Sequence, residues 1–274
     1  MSLYVVSTPI GNLADLSQRA IEVLQRVAVV AAEDTRETRK LTDHVGSKAR
    51  LLSLHAHSSD SRIQQVIELL RQGNDVAVTT DAGTPGVSDP GPELVRRARE
   101  AGILVVPIPG PSAVHAALAA SGFPADRYVF LGFAPRKGPG REEWLLRIRD
   151  SSFTVVCFEA PARTGALLQE LAALGGPDRR VVVARELTKR FEEFRVGAIG
   201  VLAEQLAREP PRGEVTLVIE GRAAAESPAD DGLARVLRDA LANAGVEPSR
   251  AARVIKDVTG LSRNESYRLT MEER

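Results

Sequence analysis

"TTDAGTPGVSDPG", Thr79 to Gly91, follows the strand-like run "DVAV" and holds three glycines, two prolines and two aspartates. So many backbone punctuators stop a strand at once. In open α/β sheets ligands sit beyond the carboxyl ends of the strands, where glycine lets a backbone approach closely and a carboxylate can bind an amine or a ribose hydroxyl. Asp81 stands at that position. As a plain connection the same residues would make a strand-to-helix turn, with Asp89 capping a helix that starts near Pro92. Other strand ends are punctuated alike: "STPIGN" after the first run, "PIPGPSA" after the fifth and "FEAPAR" in the second half. Several such loops meeting at one cleft point to a ligand rather than to folding needs alone.

Working outward, short valine-rich runs begin at Leu3, Ala28, Leu51, Asp75 and Ile103, and segments such as "SQRAIEVLQRV" and "DSRIQQVIELLRQG" lie between them. In those segments apolar residues recur three and four apart, the period of helices covering a sheet. The chain is therefore α/β. After "PGPSAVHAALAASGFP" it begins again with "RYVFLGF", "FTVVCFEA", "RVVVARELT", "FEEFRVG" and "GEVTLVIEG". Helices are fewer in this half, and Val181–Leu187 and Phe191–Val196 are close enough to form a hairpin in a mixed sheet. The expected division is an N-terminal α/β domain over residues 1–121, a second α/β domain over 122–222, a linker over 223–231 and a helical appendage over 232–274. Ser249 and Ser262 are expected to cap helices in the appendage.

Composition bounds the function. Lys and Arg number 36 and so do Asp and Glu, so any nucleic-acid footprint must be local. Cys157 is the only cysteine, which excludes internal disulfides and cysteine-held metal clusters. Met1 is followed by "SLYVVST" rather than a basic and then apolar leader, and no apolar run nears the ~20 residues of a membrane helix. A cytoplasmic setting and no membrane association are expected. Neither "GxGxxG" nor "GxxxxGK[ST]" occurs, so a ligand held by its phosphates lacks its usual mechanism. His55 and His57 alternate on one strand face but have no third ligand at a recognised spacing, and no metal is expected.

Taken together, "STPIGNLADLS", "AAEDTRETRKL", "DAGTPGVSDPG", "PIPGPSA", "FEAPAR", "RELTK" and "RGEVTLVIEG" resemble, in order and spacing from Leu3 to Gly221, the bacterial ribosomal RNA small-subunit methyltransferase I family of the tetrapyrrole methylase superfamily. The superfamily's corrin-methylating members usually read "GDPxxYG" where this chain reads "TDAGTPGVS". Gly86, where a bulky apolar residue is usual, is a small departure. The resemblance implies two α/β domains of the tetrapyrrole methylase type with S-adenosylmethionine in the cleft between them, and homodimerisation. It also implies 2'-O-methylation of a decoding-centre cytidine in 16S ribosomal RNA, as naked RNA or within the small subunit. Carried over residue by residue, it implies Pro9 and Ile10 in a first cofactor loop and Asp81, Gly83, Thr84 and Ser88 in a second, with Asp81 facing the methionine moiety. Ser112 and Ala113 fall in a third, and Phe158, Ala184 and Gly213 would enclose the adenosine. Two other functions stay open, a tetrapyrrole C-methyltransferase and a non-enzymatic nucleic-acid-binding regulator.

On the acceptor side Glu33, Asp34 and Arg36, and again Glu186 and Lys189, are the catalytic candidates. Arg36 and Arg39 could hold phosphates while a carboxylate orients the ribose. Alternatively, Asp34 or Thr35 caps a helix and the cations are solvated. Lys189, among other cations, could have a depressed pKa and act as a base, or sit in a salt-bridged hairpin. "APRKGPGREEW" reads as a cationic loop, with Arg136, Lys137 and Arg141, that closes over RNA or cofactor, and with Trp144 in the core. From Pro248 to Thr270, Arg250, Arg253, Lys256, Arg263 and Arg268 outnumber Asp257 and Glu265, a local phosphate footprint at a helix-turn-helix-like junction around Gly260.

Overall fold

Five short strands, β1 (Ser2–Val6), β2 (Val29–Ala32), β3 (Arg50–Ser53), β4 (Val76–Thr79) and β5 (Leu104–Ile108), pair in parallel in the order β3-β2-β4-β1-β5. The computed structural model describes residues 1–54, 60–86, 91–222 and 231–271. Side chains alternate across this sheet. Leu3, Val29, Ala31, Val76 and Val78 pack on α3 (Asp60–Arg71) and α4 (Gly91–Glu100). Val6, Val30, Ala77 and Ile108 pack on α1 (Gln18–Arg26) and α2 (Thr35–His44). Burial on both faces is why these strands read as continuous apolar runs.

A second sheet is mixed, as its sequence suggests. Strands β6 (Tyr128–Phe133), β7 (Thr154–Glu159), β8 (Arg180–Arg185), β9 (Glu193–Ala198) and β10 (Val215–Ile219) run β6-β7-β10-β8-β9, and only the β6–β7 pair is parallel. β8 and β9 are the expected hairpin. Val155, Cys157, Val181, Val183, Leu217 and Ile219 face α6 (Pro139–Asp150), α7 (Pro161–Ala173) and α8 (Ile199–Arg208).

The other face of this sheet is covered by α5 (Ala113–Ser121), whose Val114, Ala117 and Leu118 meet Val156, Val182, Ala184 and Val218. A first domain ending at residue 121 counts α5 with the first sheet, yet its apolar side is buried on the second. Ile10, from the loop after β1, joins the same cluster. Both sheets lie in one compact unit, Met1–Glu220, and Gly221–Arg274 forms another. In the latter, α9 (Asp231–Asn243), α10 (Pro248–Thr259) and α11 (Arg263–Met271) close on Ala234, Ile255 and Leu261. Of the expected linker, residues 223–230 lie outside the described residues, and Asp231 begins α9.

Several local expectations change. Helix α10 is capped by Glu247 with Pro248 in its first turn, so Ser249 lies inside it. Proline's fixed φ suits that first turn. Ser262 does cap α11: its Oγ accepts from Glu265 N–H at 3.2 Å and Glu265 Oε2 accepts from Ser262 N–H at 2.9 Å, a reciprocal capping box. Arg141 is no free cation of a closing loop. Its guanidinium donates to both carboxylate oxygens of Glu170 at 2.8 and 2.9 Å and to Pro135 O, leaving Arg136 and Lys137 exposed. Trp144 is buried, its Nε1–H on Leu131 O. His55, His57 and Asp89 lie outside the described residues.

Helices α7 and α8 pack closely at Gly165, where an added Cβ would stand 3.0 Å from the backbone of Leu206 and Ala207. Alanine at this position gains about 1 kcal/mol of helix propensity but overpacks a backbone contact at a cost of about 1–3 kcal/mol. Gly165→Ala should therefore lower the Tm. A thermal melt equal to or above wild type would show that the two helices can part.

Candidate functional site

The loops after β1, β4 and β5 are laced together. Thr8 and Gly83 exchange both backbone hydrogen bonds, Thr8 N–H on Gly83 O at 2.8 Å and Gly83 N–H on Thr8 O at 3.1 Å. Ser7 Oγ bonds Thr84 Oγ1 at 3.1 Å, and Thr84 Oγ1 donates to Pro111 O at 3.1 Å. The abrupt stop after Thr79 thus has a physical cause, because β4 ends where its chain must cross to bond these neighbouring loops.

Against this edge lies a cavity of about 410 Å³. Ile10, Thr80 to Thr84 and Ser112 to Val114 line one side; Phe133, Phe158 to Pro161 and Gly213 to Thr216 line the other. Of the expected cofactor residues, Ile10, Asp81, Gly83, Thr84, Ser112, Ala113, Phe158 and Gly213 are brought together here. Pro9 is half-buried beside Ile10 and off the wall. Ala184 is also off it. Thr216 is opposite Phe158 on one side and Ala184 on the other, so Ala184 sits one strand beyond the cavity, fully buried. Ser88 lies outside the described residues.

Some lining residues have only faint sequence signals. A register shift between Phe130 and Phe133, at Gly132 with φ 63°, sets Phe133 opposite Phe158 with ring centroids 5.2 Å apart. A glycine inside a strand pattern is the trace such a bulge leaves. Glu159 is fully buried on its side chain: its Oε1 accepts from Ala160 N–H at 2.7 Å and Arg163 Nε at 2.8 Å, while Oε2 has no partner among the described residues.

Electrostatics divide the wall. Asp81 Oδ1 accepts from Asp34 N–H at 2.9 Å, and Glu33 Oε2 accepts from Thr80 Oγ1 at 2.6 Å and Asp81 N–H at 3.3 Å. Partial desolvation at the cavity rim raises the Asp81 pKa above the ordinary carboxylate value, although the residue is exposed; the Asp34 N–H opposes this, and Glu33, Asp34 and Glu37 add to the rise. Such a carboxylate favours a cation beside it. On the same wall, α5 opens with Ser112 as N-cap, its hydroxyl making no cap bond. The first-turn N–H groups of a helix have no partners within it and favour an anion. The two features together suit a zwitterionic α-amino acid group, and Phe133 and Phe158 suit a flat ring.

Glu33, Asp34 and Arg36 do not line the cavity. Asp34 is the N-cap of α2, Oδ1 accepting from Arg36 N–H at 2.8 Å, and the Arg36 side chain folds back on it at 2.6 Å, 86% exposed. Asp34 does cap the helix, and the Glu33 carboxylate and the Asp34 N–H hydrogen-bond Thr80 and Asp81. Arg39 is exposed.

Glu186 and Lys189 form a second support. Lys189 Nζ meets Glu186 at 3.0 Å and Glu214 at 3.1 Å, and its stem lies over Gly11. Burial pulls the Lys189 pKa down, but the two carboxylates outweigh it and hold the value above that of a free lysine. Of the two readings the sequence leaves open for Lys189, the surroundings match the salt-bridged one, since its neighbours are anions. Glu186 also accepts from Glu214 N–H at 2.9 Å and lies over Gly213, where φ is 84° and any side chain would collide with it. Glu186 and Thr188 themselves have φ of 51° and 65°. Backbone strain of this kind costs about 1–3 kcal/mol per residue and persists where the surrounding structure enforces it.

Comparison with known proteins agrees with this geometry. The model of Tetrapyrrole (Corrin/Porphyrin) Methylases matches residues 2–203. The chain is 45% identical over 267 residues, 97% of its own length and 85% of the relative's, to a ribosomal RNA small subunit methyltransferase I of Micromonospora olivasterospora. It is 41% identical over 274 residues, 99% and 95% of the two lengths, to the one of Escherichia coli O157:H7. The chain belongs to the ribosomal RNA small subunit methyltransferase I family. Membership makes it a methyltransferase and favours that reading over tetrapyrrole C-methylation. A solved uroporphyrin-III C-methyltransferase of Thermus thermophilus, complexed with S-adenyl homocysteine, shares the fold at a TM-score of 0.57 and 18% identity, over 80% of this chain and 97% of that one. Among the described residues no helix is long and apolar enough to cross a membrane.

The Arg36 side chain and backbone N–H hold the Asp34 carboxyl at a pKa of about 2. A value depressed in the folded state means the cap contributes above the unfolded pKa and is lost as pH falls through about 2. Carboxyl NMR titration should place Asp34 there, and Arg36→Ala should move it up towards the ordinary aspartate value. An Asp34 midpoint unmoved by that substitution would contradict the pairing.

Proposed function

We propose that this chain methylates the 2'-oxygen of a cytidine ribose in the decoding centre of 16S ribosomal RNA, using S-adenosylmethionine. Its near full-length identity of 41–45% to proteins named ribosomal RNA small subunit methyltransferase I carries the reading. The cavity supports the cofactor on its own chemistry. Asp81 suits an ammonium, the start of α5 a carboxylate and the Phe133–Phe158 pair an adenine, and the unpartnered Glu159 oxygen offers an acceptor to an amino or hydroxyl group.

S-adenosylmethionine supplies a methyl carbon made electrophilic by its sulfonium. The protein's task is then chiefly orientation, since holding the acceptor oxygen in line with that carbon can supply most of the rate. Thr80 and Asp81 are fixed by Glu33 and Asp34, and Gly213 and Glu214 by Glu186 and Lys189, so these candidates are positioning residues in the proposal. Lys189, kept protonated by its two carboxylate neighbours, has no free lone pair to act as base, so the ribose proton leaves to solvent or to a carboxylate. A homodimer in the cytoplasm completes the reading, tested by sedimentation at twice the 29.4 kDa chain mass.

Tritium transfer from labelled S-adenosylmethionine to purified small subunits should appear as 2'-O-methylcytidine in a nuclease digest. Label on a tetrapyrrole alone would support the corrin-type activity, and label on nothing a binding protein.

Asp81→Ala should weaken S-adenosylmethionine binding by about 1.5–3 kcal/mol, the worth of a hydrogen bond to a charged group, which is tenfold or more in Kd. The Tm should barely move, since Asp81 is an exposed loop residue. Wild-type affinity by calorimetry would remove Asp81 from the site. Because a cation prefers the ionised carboxylate, wild-type affinity should rise with pH through the raised Asp81 pKa and then level off.

A further inference from the structure

Between α10 and α11 runs an open groove of about 1100 Å³, lined by Arg250, Arg253, Lys256, Arg263 and Arg268 together with Tyr267, Asn264 and a single carboxylate, Glu247, so that cations outnumber anions five to one. Arg250, Arg253 and Lys256 recur every three residues, so they form one stripe along α10 with ~4.5 Å of rise between neighbours. Arg263 and Arg268 face them from α11. All five are exposed, and among the described residues none is within ion-pair distance of a carboxylate. Elsewhere Arg36, Arg96, Arg97, Arg141, Arg147 and Arg195 have acidic partners, while exposed cations such as Arg39, Arg136 and Lys137 have none among the described residues; what sets the groove apart is five such cations on one concave face. The neighbouring anion Glu265 is engaged in capping α11.

Leaving five cations unpaired along a concave face sets up self-repulsion that an external anion would relieve. Tyr267 stands 46% exposed among them, and Asn264 adds an amide that can both donate and accept. An acidic peptide or a lipid headgroup would use the charge alone, whereas cations interleaved with an aromatic ring suit a strand whose bases are open to stacking.

We propose that this groove holds an unpaired strand of the small-subunit ribosomal RNA, its phosphates on the five cations and a base on Tyr267. The proposal rests on the reading of the chain as a ribosomal RNA methyltransferase and adds to it a binding surface outside the cofactor cavity.

The test compares full-length wild type, Arg253→Gln/Lys256→Gln and Tyr267→Ala for binding to deproteinised 16S RNA, to intact small subunits and to S-adenosylmethionine, across a salt series. Removing one cation that neutralises a phosphate of a single strand should lower the slope of log K against log salt by ~0.7, so the double variant should lower it by about 1.4. Tyr267→Ala should weaken RNA binding about fivefold or more with little change in slope. Cofactor affinity should stay at the wild-type value in both, which also reports that the core is folded. Circular dichroism then checks the helices of the appendage. Unchanged RNA affinity and slope would overturn the proposal and leave the cations as a solvated face. Weakened binding to subunits with unchanged binding to naked RNA would overturn it too, in favour of a protein partner. Failure of the underlying reading looks different, since wild type itself would then transfer no methyl group to small-subunit RNA.

Discussion

The reciprocal backbone hydrogen bonds between Thr8 and Gly83 tie the loop after β1 to the loop after β4, and the arrangement of the cavity follows from that tie. A parallel sheet delivers all its strand ends to one edge, but it does not by itself hold the loops beyond them. Here Thr84 reaches on to Pro111, so the start of α5 is drawn into the same lacing. Two features of opposite electrostatic character, the Asp81 carboxylate and the first turn of α5, are thereby held on one wall.

Charged side chains around the cavity work mostly as struts. The Glu33 carboxylate bonds Thr80, the Asp34 backbone N–H bonds Asp81, and Glu186 and Lys189 brace Gly213 and Glu214 while reaching across to Gly11. Residues that look reactive in a one-dimensional motif thus also hydrogen-bond neighbours that shape the cavity. The positive φ angles at Glu186 and Thr188 mark where that bracing distorts the chain. Orientation is the larger demand of a methyl transfer, and a stiffly supported rim is consistent with it.

Helix α5 links the two halves of the first unit. Its N-terminus belongs to the cavity and its apolar side to the second sheet, so Val114 takes part in both.

Ten strands, a mixed second sheet with its hairpin and most of one cavity wall were legible in the order of residues. Valine runs record burial on both faces, and the clustered Pro and Gly of "STPIGN", "DAGTPG" and "PIPGPSA" record loops that must bend and approach closely. Family motifs gave Asp81, Ser112 and Phe158 a shared role before any geometry was known. Which motif residues touch the cavity was settled by packing instead. Ala184 is set back by one strand through pairing register, Phe133 comes in through a bulge, and Lys189 meets Glu214 from a distant strand. Packing also assigned α5 to the second sheet. Register, bulges and partners distant in sequence depend on how separate segments come together, and no local spacing encodes that.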